Sequence, residues 1–293
     1  MTSAPLRAAR PVTSILVAGY GTLTSGIVPH LLSLPDTALT VASRHLTATP
    51  DPRATLIHPD AVGTTAPDVI IGCFADDEHS RAFWQHPRTT HVLADHRPAC
   101  IELSTITPTW AEQWHLLLQD HGALPVECPV TGSRPGAIAG TLTAFLYSSA
   151  MDERAERVLG TFTRNRHRFT APGHPARFKL VYNAWGATIL HSLGVYAPLL
   201  PPLLGDDSAT ATEIITTDGW MSVIASTKLH RIHRDDYSDP DFTATHMAKD
   251  LRYARELLGR LPLLECTLKA FEETVKHSGP YADFTAVAVS EAP

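Results

Sequence analysis

Lys179 and Asn183 stand four residues apart in Lys179-Leu180-Val181-Tyr182-Asn183, within an otherwise apolar stretch. On a helix that spacing puts both side chains on one face. An ammonium beside a carboxamide is what a site needs if one group moves a proton and the other orients a substrate oxygen. The same lysine could instead sit at a helix end with its stem buried and its ammonium in water. A second group is Thr131-Gly132-Ser133. A hydroxyl and exposed backbone N–H groups beside a glycine make a small anion pocket suited to a carboxylate. The competing reading is a glycine-rich hairpin feeding a strand at Thr141 to Leu146. A third group is Gly19-Tyr20-Gly21-Thr22-Leu23-Thr24. Gly19 permits a tight turn, and Gly21 lets a pyrophosphate approach the backbone at a helix N-terminus. An ordinary strand-to-helix turn would share that start. Thr24 occupies the place of the third fingerprint glycine, with Gly26 two residues later.

The elements needed to position these groups are readable from the apolar pattern. Ser14 to Ala18 is a short apolar run ending at Gly19, as expected of a buried parallel strand. Leu23, Ile27, Val28, Leu31 and Leu32 then recur at helical spacing up to Pro35-Asp36. Further strands are predicted at Leu39 to Ala42, Asp68 to Phe74, His91 to Ala94, Cys100 to Leu103 and Val126 to Val130. A helix is predicted from Pro108 to His121, and the acidic Asp76-Asp77-Glu78 opens another. Short apolar strands alternating with helices predict an α/β domain with a parallel sheet, a Rossmann domain. The character changes near Ala171-Pro172-Gly173. Phe178 to Leu200 reads as one long helix ended by Pro201-Pro202, followed by helices at Thr210 to His230, His246 to Leu261 and Leu263 to His277. Phe284 to Val289 is the one strand candidate beyond. The expected division is residues 1–171 for the dinucleotide-binding domain and 172–293 for an all-helical substrate and dimerisation domain.

The second strand ends in Ala42-Ser43-Arg44-His45. An acidic residue there would bind the ribose 2′-hydroxyl of NAD. Ser43 and Arg44 suit a 2′-phosphate instead, which favours NADP and leaves NAD as the second choice. The alternative for Arg44 is a solvated surface residue.

At 293 residues the chain can bury two cores, and 44% hydrophobic with 18% charged residues fits a globular protein. A formal net charge of −6 argues against broad nucleic-acid binding. Cys73, Cys100, Cys128 and Cys266 are scattered singly, without metal-ligand spacing or a disulfide framework, so a reducing, cytoplasmic setting is expected. No run of about 18 apolar residues stands out as a membrane span. Met1 to Thr13 reads as a short disordered lead without a signal-peptide core. His230 and His233 are a possible metal pair without a third ligand, so no metal is expected. For Trp185 and Trp220 core packing is expected, with lining of a substrate cleft the alternative.

Cys128-Pro129-Val130-Thr131-Gly132-Ser133, followed by Gly136-Ala137-Ile138-Ala139-Gly140-Thr141-Leu142, resembles the substrate-binding segment of the β-hydroxyacid dehydrogenases. That family, which includes 3-hydroxyisobutyrate dehydrogenases and glyoxylate/succinic semialdehyde reductases, has aPVSGG and then GAxxGTL there. Thr131 keeps the hydroxyl, and Ser133 replaces the last glycine, a change that narrows the pocket or adds a donor. Lys179 to Asn183 is similar to the family's KxxxN signature. Ser104-Thr105 resembles its D-x-S-T segment near the nicotinamide ribose, with Glu102 in place of the aspartate. Asp76-Asp77 matches its acidic pair, which brings Phe74 and Ala75 in as cofactor contacts. Lys249-Asp250-Leu251 resembles its KDL helix, making Lys249 a further cofactor contact. Pro262-Leu263 and Ala282-Asp283 match near the C-terminus, so the resemblance runs from about Ile15 to Val287.

The resemblance implies reversible hydride transfer between a nicotinamide cofactor and a small hydroxy acid or its aldehyde or keto form. Lys179 and Asn183 would be catalytic, and Thr131, Gly132 and Ser133 would bind substrate. Gly19, Tyr20, Gly21, Thr22, Leu23, Ser43 and Arg44 would contact the cofactor, and the protein would be a homodimer. Two alternatives are an imine reductase of specialised metabolism, a related group that typically lacks this lysine, and a non-catalytic dinucleotide-binding protein. Thr24, Ser133 and the missing acidic residue keep the latter open.

Overall fold

The computed structural model describes residues 13–291. The lead before Thr13 lies outside them, whereas Thr13 itself opens the first strand. Strands β1 (Thr13–Ala18), β2 (Thr37–Ala42), β3 (Ala54–Ile57), β4 (Val69–Gly72), β5 (Ala99–Glu102) and β6 (Leu124–Glu127) form one sheet in the order β3-β2-β1-β4-β5-β6. Every neighbouring pair is parallel. The sheet is covered on both faces, so its strands carry unbroken apolar runs. Ile15 and Val17 join one core with Val28, Leu31 and Phe162, while Leu16 and Ala18 point the other way, toward Ile70, Trp84 and Trp110.

The first unit is completed by helices α1 (Thr22–Leu31), α2 (Asp77–Trp84), α3 (Pro87–His96), α4 (Pro108–Asp120), α5 (Ser133–Ile138) and α6 (Glu153–Phe162). In a small second sheet, β8 (Leu142–Leu146) lies between β7 (Val130–Thr131), with which it pairs antiparallel, and β9 (Thr163–Arg168), with which it pairs parallel. The strand predicted at His91 to Ala94 is instead the second half of α3. Pro87 stands in the first turn, where its missing N–H is harmless, and Thr89, Val92 and Leu93 are buried at helical spacing.

The chain divides into two compact units, one running through Ala176 and the other from Arg177. Helix α7 (His174–Tyr196) begins just before that division. The second unit continues with α8 (Leu200–Leu204), α9 (Ser208–Glu213), α10 (Ser222–Arg234), α11 (Ala244–Leu258) and α12 (Pro262–Ser278). Its main core joins Leu180, Ala184 and Ala187 of α7 to Leu251, Leu268 and Phe271. Pro201-Pro202 does not terminate the helical path. A 3₁₀ turn at Ala197–Leu199 intervenes, and both prolines then occupy the opening turn of α8, where no N–H is needed. Phe284–Glu291 is a 3₁₀ helix rather than a strand.

Contrary to the sequence expectation, the helical run His174–Asp218 contains an 18-residue window of mean hydropathy 1.3. By length and composition that run could cross a membrane, a test that core helices of water-soluble folds also pass. Trp185 and Trp220 are exposed, not core residues.

Candidate active site

In the sheet order, β1 and β4 are neighbours from which the chain winds in opposite directions, and their carboxyl ends flank the glycine loop. Gly19 has φ 89, and a Cβ there would overlap the carbonyl oxygen of Cys73, so only glycine fits. Gly21 is extended, exposed and open: a Cβ would meet nothing within 4 Å. This is the free backbone approach that a pyrophosphate needs at the start of α1. The loop is therefore compatible with a dinucleotide. Tyr20 is half-buried against the core below, Thr22 is exposed and Leu23 half-buried.

Thr24 lies in the first turn of α1. Its buried side chain accepts the Gly21 N–H at 2.8 Å, capping α1. The close approach comes two residues later, at Gly26, where a Cβ would lie 2.8 Å from both Ala137 Cβ and Ile138 N. Thus α1 packs tightly on α5. His30 reinforces that contact, with Nε2 at 3.1 Å and 2.9 Å from the carbonyls of Ala137 and Ile138.

Beyond β2, Arg44 is exposed, and the Ser43 hydroxyl accepts the N–H groups of His45 (3.2 Å) and Leu46 (3.3 Å). Beyond β4 and β5, Phe74 and Ser104 meet: the Phe74 N–H donates to Ser104 Oγ at 2.7 Å. Ser104 Oγ in turn donates to Glu102 Oε1 at 2.5 Å. Glu102 is fully buried, and its other oxygen accepts from Ser80 Oγ (2.8 Å) and Trp84 Nε1 (2.6 Å). Burial pushes this carboxyl above its ordinary range, while the Ser104, Trp84 and Ser80 donors pull it back. Ala75 is exposed and Thr105 half-buried beside this pair. Asp76 and Asp77 serve the scaffold. Asp76 caps α2 through the His79 N–H at 2.9 Å, and Asp77 accepts the Thr107 N–H at 2.9 Å at the start of α4.

Thr131 ends the short β7, Gly132 follows with φ 121, and Ser133 begins α5 with φ 52. The turn rests on Leu142, whose Cδ2 lies 3.1 Å from where a Cβ of Gly132 or Gly136 would be.

In the second unit, Lys179 and Asn183 are both buried on α7. Asn183 Nδ2 donates to Asp250 Oδ2 on α11 at 2.5 Å. Lys249 Nζ lies 2.8 Å from Asp250 Oδ1, an ion-pair distance but with poor hydrogen-bond alignment, which leaves that oxygen without a formal hydrogen bond. Desolvation lowers the Lys179 pKa from 10.5 to about 8; the Asp250 charge opposes the shift and Lys249 adds to it. A lysine so placed exchanges its proton near neutral pH. Asp250 is the residue that sequence reasoning left without a role. Its signal was position: it shares the apolar face of α11 with Met247, Leu251 and Ala254.

A parallel sheet of this order with a glycine loop at its switch point, followed by a helical unit, is the architecture of dinucleotide-binding dehydrogenases. The family model described as the NAD binding domain of 6-phosphogluconate dehydrogenase matches residues 36–169. An NAD-dependent L-serine dehydrogenase of Pseudomonas aeruginosa is 25% identical over 237 residues, 75% of this chain and 77% of that one. A probable 3-hydroxyisobutyrate dehydrogenase of Mycobacterium bovis is 40% identical over 86 residues, 29% of this chain and 27% of its own. The solved 3-hydroxyisobutyrate dehydrogenase of Mycobacterium tuberculosis with L-serine superposes with TM-score 0.76 at 24% identity, covering 96% of this chain and 100% of that one. An imine reductase of Myxococcus stipitatus with NAD⁺ gives 0.56 at 15%, covering 95% and 99%. Residues 36–169 thus match an NAD-binding domain of the 6-phosphogluconate dehydrogenase type, and the chain as a whole has the fold of, and is similar to, dehydrogenases of 3-hydroxy acids. The family match begins at residue 36, past the glycine loop, where this sequence departs most from the fingerprint.

Proposed function

We propose that the protein transfers hydride between NADP(H) and a small hydroxy acid or its aldehyde or keto form. The observation that carries this reading is the buried Lys179, its pKa drawn down to about 8, one helical turn from Asn183 and within the field of Asp250. The nicotinamide supplies the hydride chemistry when bound. Lys179 protonates the carbonyl oxygen in reduction and takes the alcohol proton in oxidation. Asn183, held by Asp250, orients the same oxygen. Thr131 and Gly132 hold the substrate carboxylate, with Ser133 beside them. Gly19 to Leu23 receive the pyrophosphate, and Ser43 and Arg44 receive the 2′-phosphate. Phe74, Ala75, Ser104, Thr105 and Lys249 contact the rest of the cofactor.

The four cysteines are free, which supports a cytoplasmic setting. Exposed apolar side chains along α7 to α10, among them Trp185, Leu203 and Trp220, support a homodimer joined through the helical unit. Lys179→Ala is expected to lower kcat by about 10²- to 10⁴-fold, with NADPH affinity by fluorescence titration nearly unchanged. Near-normal turnover would remove Lys179 from the mechanism, and failure to bind NADPH or NADH at millimolar concentration would favour a non-catalytic role.

A further inference from the structure

Two buried glutamates close the last strands of the main sheet, Glu102 on β5 and Glu127 on β6, paired in register. Glu102 supports Ser104. Glu127 reaches forward along the chain to the start of α7. Its Oε2 accepts the Gly173 N–H at 2.7 Å, and its Oε1 accepts the Ala176 N–H at 2.8 Å. A helix start needs such acceptors, because its first N–H groups have no partner within the helix. Ala171-Pro172-Gly173, the lead into α7, offers no side-chain oxygen, and Pro175 has no N–H to satisfy. The cap therefore comes from a strand 46 and 49 residues away in sequence. A carboxylate also suits the positive end of the helix dipole.

The base of this cap is rigid. The Glu127 N–H donates to the Tyr147 carbonyl at 2.9 Å, and its own carbonyl accepts the Tyr147 N–H at 3.0 Å. A competing partner for the side chain is His115 on α4, buried against Trp114 and Tyr147. Its Nε2 lies 3.5 Å from Glu127 Oε2 and has no hydrogen bond among the described residues. Both carboxylate oxygens are thus spent on the helix start, and the imidazole goes without.

We infer that Glu127 is a positioning residue for Lys179, fixing the first turn of the helix that carries the amine. Lys179 follows Ala176 by three residues and precedes Asn183, which Asp250 holds, by four. The lysine therefore stands on α7 between two carboxylate anchors, about one turn from each. Without the first anchor the opening turn loses two N–H partners and frays, and water reaches the Lys179 ammonium. The catalytic meaning of this anchoring rests on the proposed proton transfer by Lys179; the anchoring itself is read without turnover.

Amide exchange by NMR and amine labelling test it. In the wild type the Gly173 and Ala176 amides should exchange as slowly as those inside α7. Glu127→Gln keeps the shape but turns an NH₂ against one of the two N–H groups. It should speed exchange of at least one of these amides by about tenfold or more, with amides of α12 such as Phe271 unchanged. The pH midpoint for acetylation of Lys179 by trace acetic anhydride, followed by mass spectrometry, should rise in this variant from about 8 toward 10.5 as water enters. A Glu127 charge acting directly on the ammonium would, when removed, move that midpoint down, and a merely structural role would lower Tm without moving it. His115→Phe should alter neither readout. Fast exchange of the wild-type Gly173 and Ala176 amides overturns the inference, as does a Lys179 midpoint in Glu127→Gln that stays or falls. So does a His115→Phe variant that loosens both amides as far as Glu127→Gln. Near-normal turnover by Lys179→Ala would instead remove the lysine chemistry and leave the anchoring standing.

Discussion

Asn183 on α7 gives its side-chain N–H to Asp250 on α11 at 2.5 Å, and both residues are buried. The bond fixes the carboxamide and sets a negative charge where it raises the proton affinity of Lys179 against desolvation. Asp250→Asn is therefore expected to lower the Lys179 pKa further. The midpoint of the pH–rate profile should move to lower pH than in the wild type. Asp250→Ala should also orphan the Asn183 donor and destabilise the fold by about 1–3 kcal/mol, read from urea unfolding. An unmoved midpoint would separate Asp250 from the lysine.

Lys179 itself predicts opposite pH profiles for the two reaction directions. In the proposed mechanism oxidation uses the neutral amine, so kcat/KM for a hydroxy acid should rise through a pH of about 8. Reduction needs the ammonium and should fall through the same pH. Stability follows from the same shift. Between about 8 and 10.5 the unfolded chain holds a proton that the folded chain has released. Lys179 therefore contributes a stability that increases with pH across that window. Lys179→Met should flatten that part of the pH–stability curve and raise stability below pH 8, as measured by denaturant titration.

Two glycines separate packing from ligand approach. A Cβ on Gly26 would lie 2.8 Å from Ala137 Cβ and Ile138 N, whereas one on Gly21 meets open space at an ordinary extended φ of −144°. Gly26→Ala is expected to cost about 1–3 kcal/mol in stability by forcing α1 off α5. Gly21→Ala should leave Tm within a degree or two of the wild type and still weaken NADPH binding about tenfold or more, since the added methyl would stand where the proposed cofactor reading brings the pyrophosphate. Thermal melts paired with fluorescence titrations check both. Gly21→Ala with unchanged affinity would remove the loop from the cofactor site.

Much of this architecture was legible because its signals are local. The apolar run ending at Gly19, the spacing of Ile27, Val28 and Leu31, and the four-residue interval from Lys179 to Asn183 each specify an element or a face by themselves. What escaped depended on partners distant in sequence. His91 to Ala94 has the apolar pair of a short strand, but the proline and cap that start α3 lie upstream, and Val92 and Leu93 are buried from a helix. The role of Thr24 as a cap and the shift of close packing to Gly26 required knowing that α5 lies against α1. The strain at Ser133 is a φ value, which composition does not reveal. Strand β9 (Thr163–Arg168) was invisible because only Thr163 is buried, so it carries no apolar alternation.

The exposure of Trp220 and Trp185, 90% and 70%, makes the helical unit's surface unusual for a chain on its own. Only 28% of the most apolar window between His174 and Asp218 is buried. Burial of such a surface against a second copy yields roughly 25 cal/mol per Å² of apolar area, and homodimer interfaces are rich in aromatic anchors. Trp185→Glu with Trp220→Glu is therefore expected to shift the sedimentation of the protein from dimer to monomer. Because neither indole supports the core of its own unit, the variant should keep its far-UV circular dichroism. A wild type that sediments as a monomer at micromolar concentration would sink the homodimer. A variant still dimeric after both changes would place the interface elsewhere on the chain.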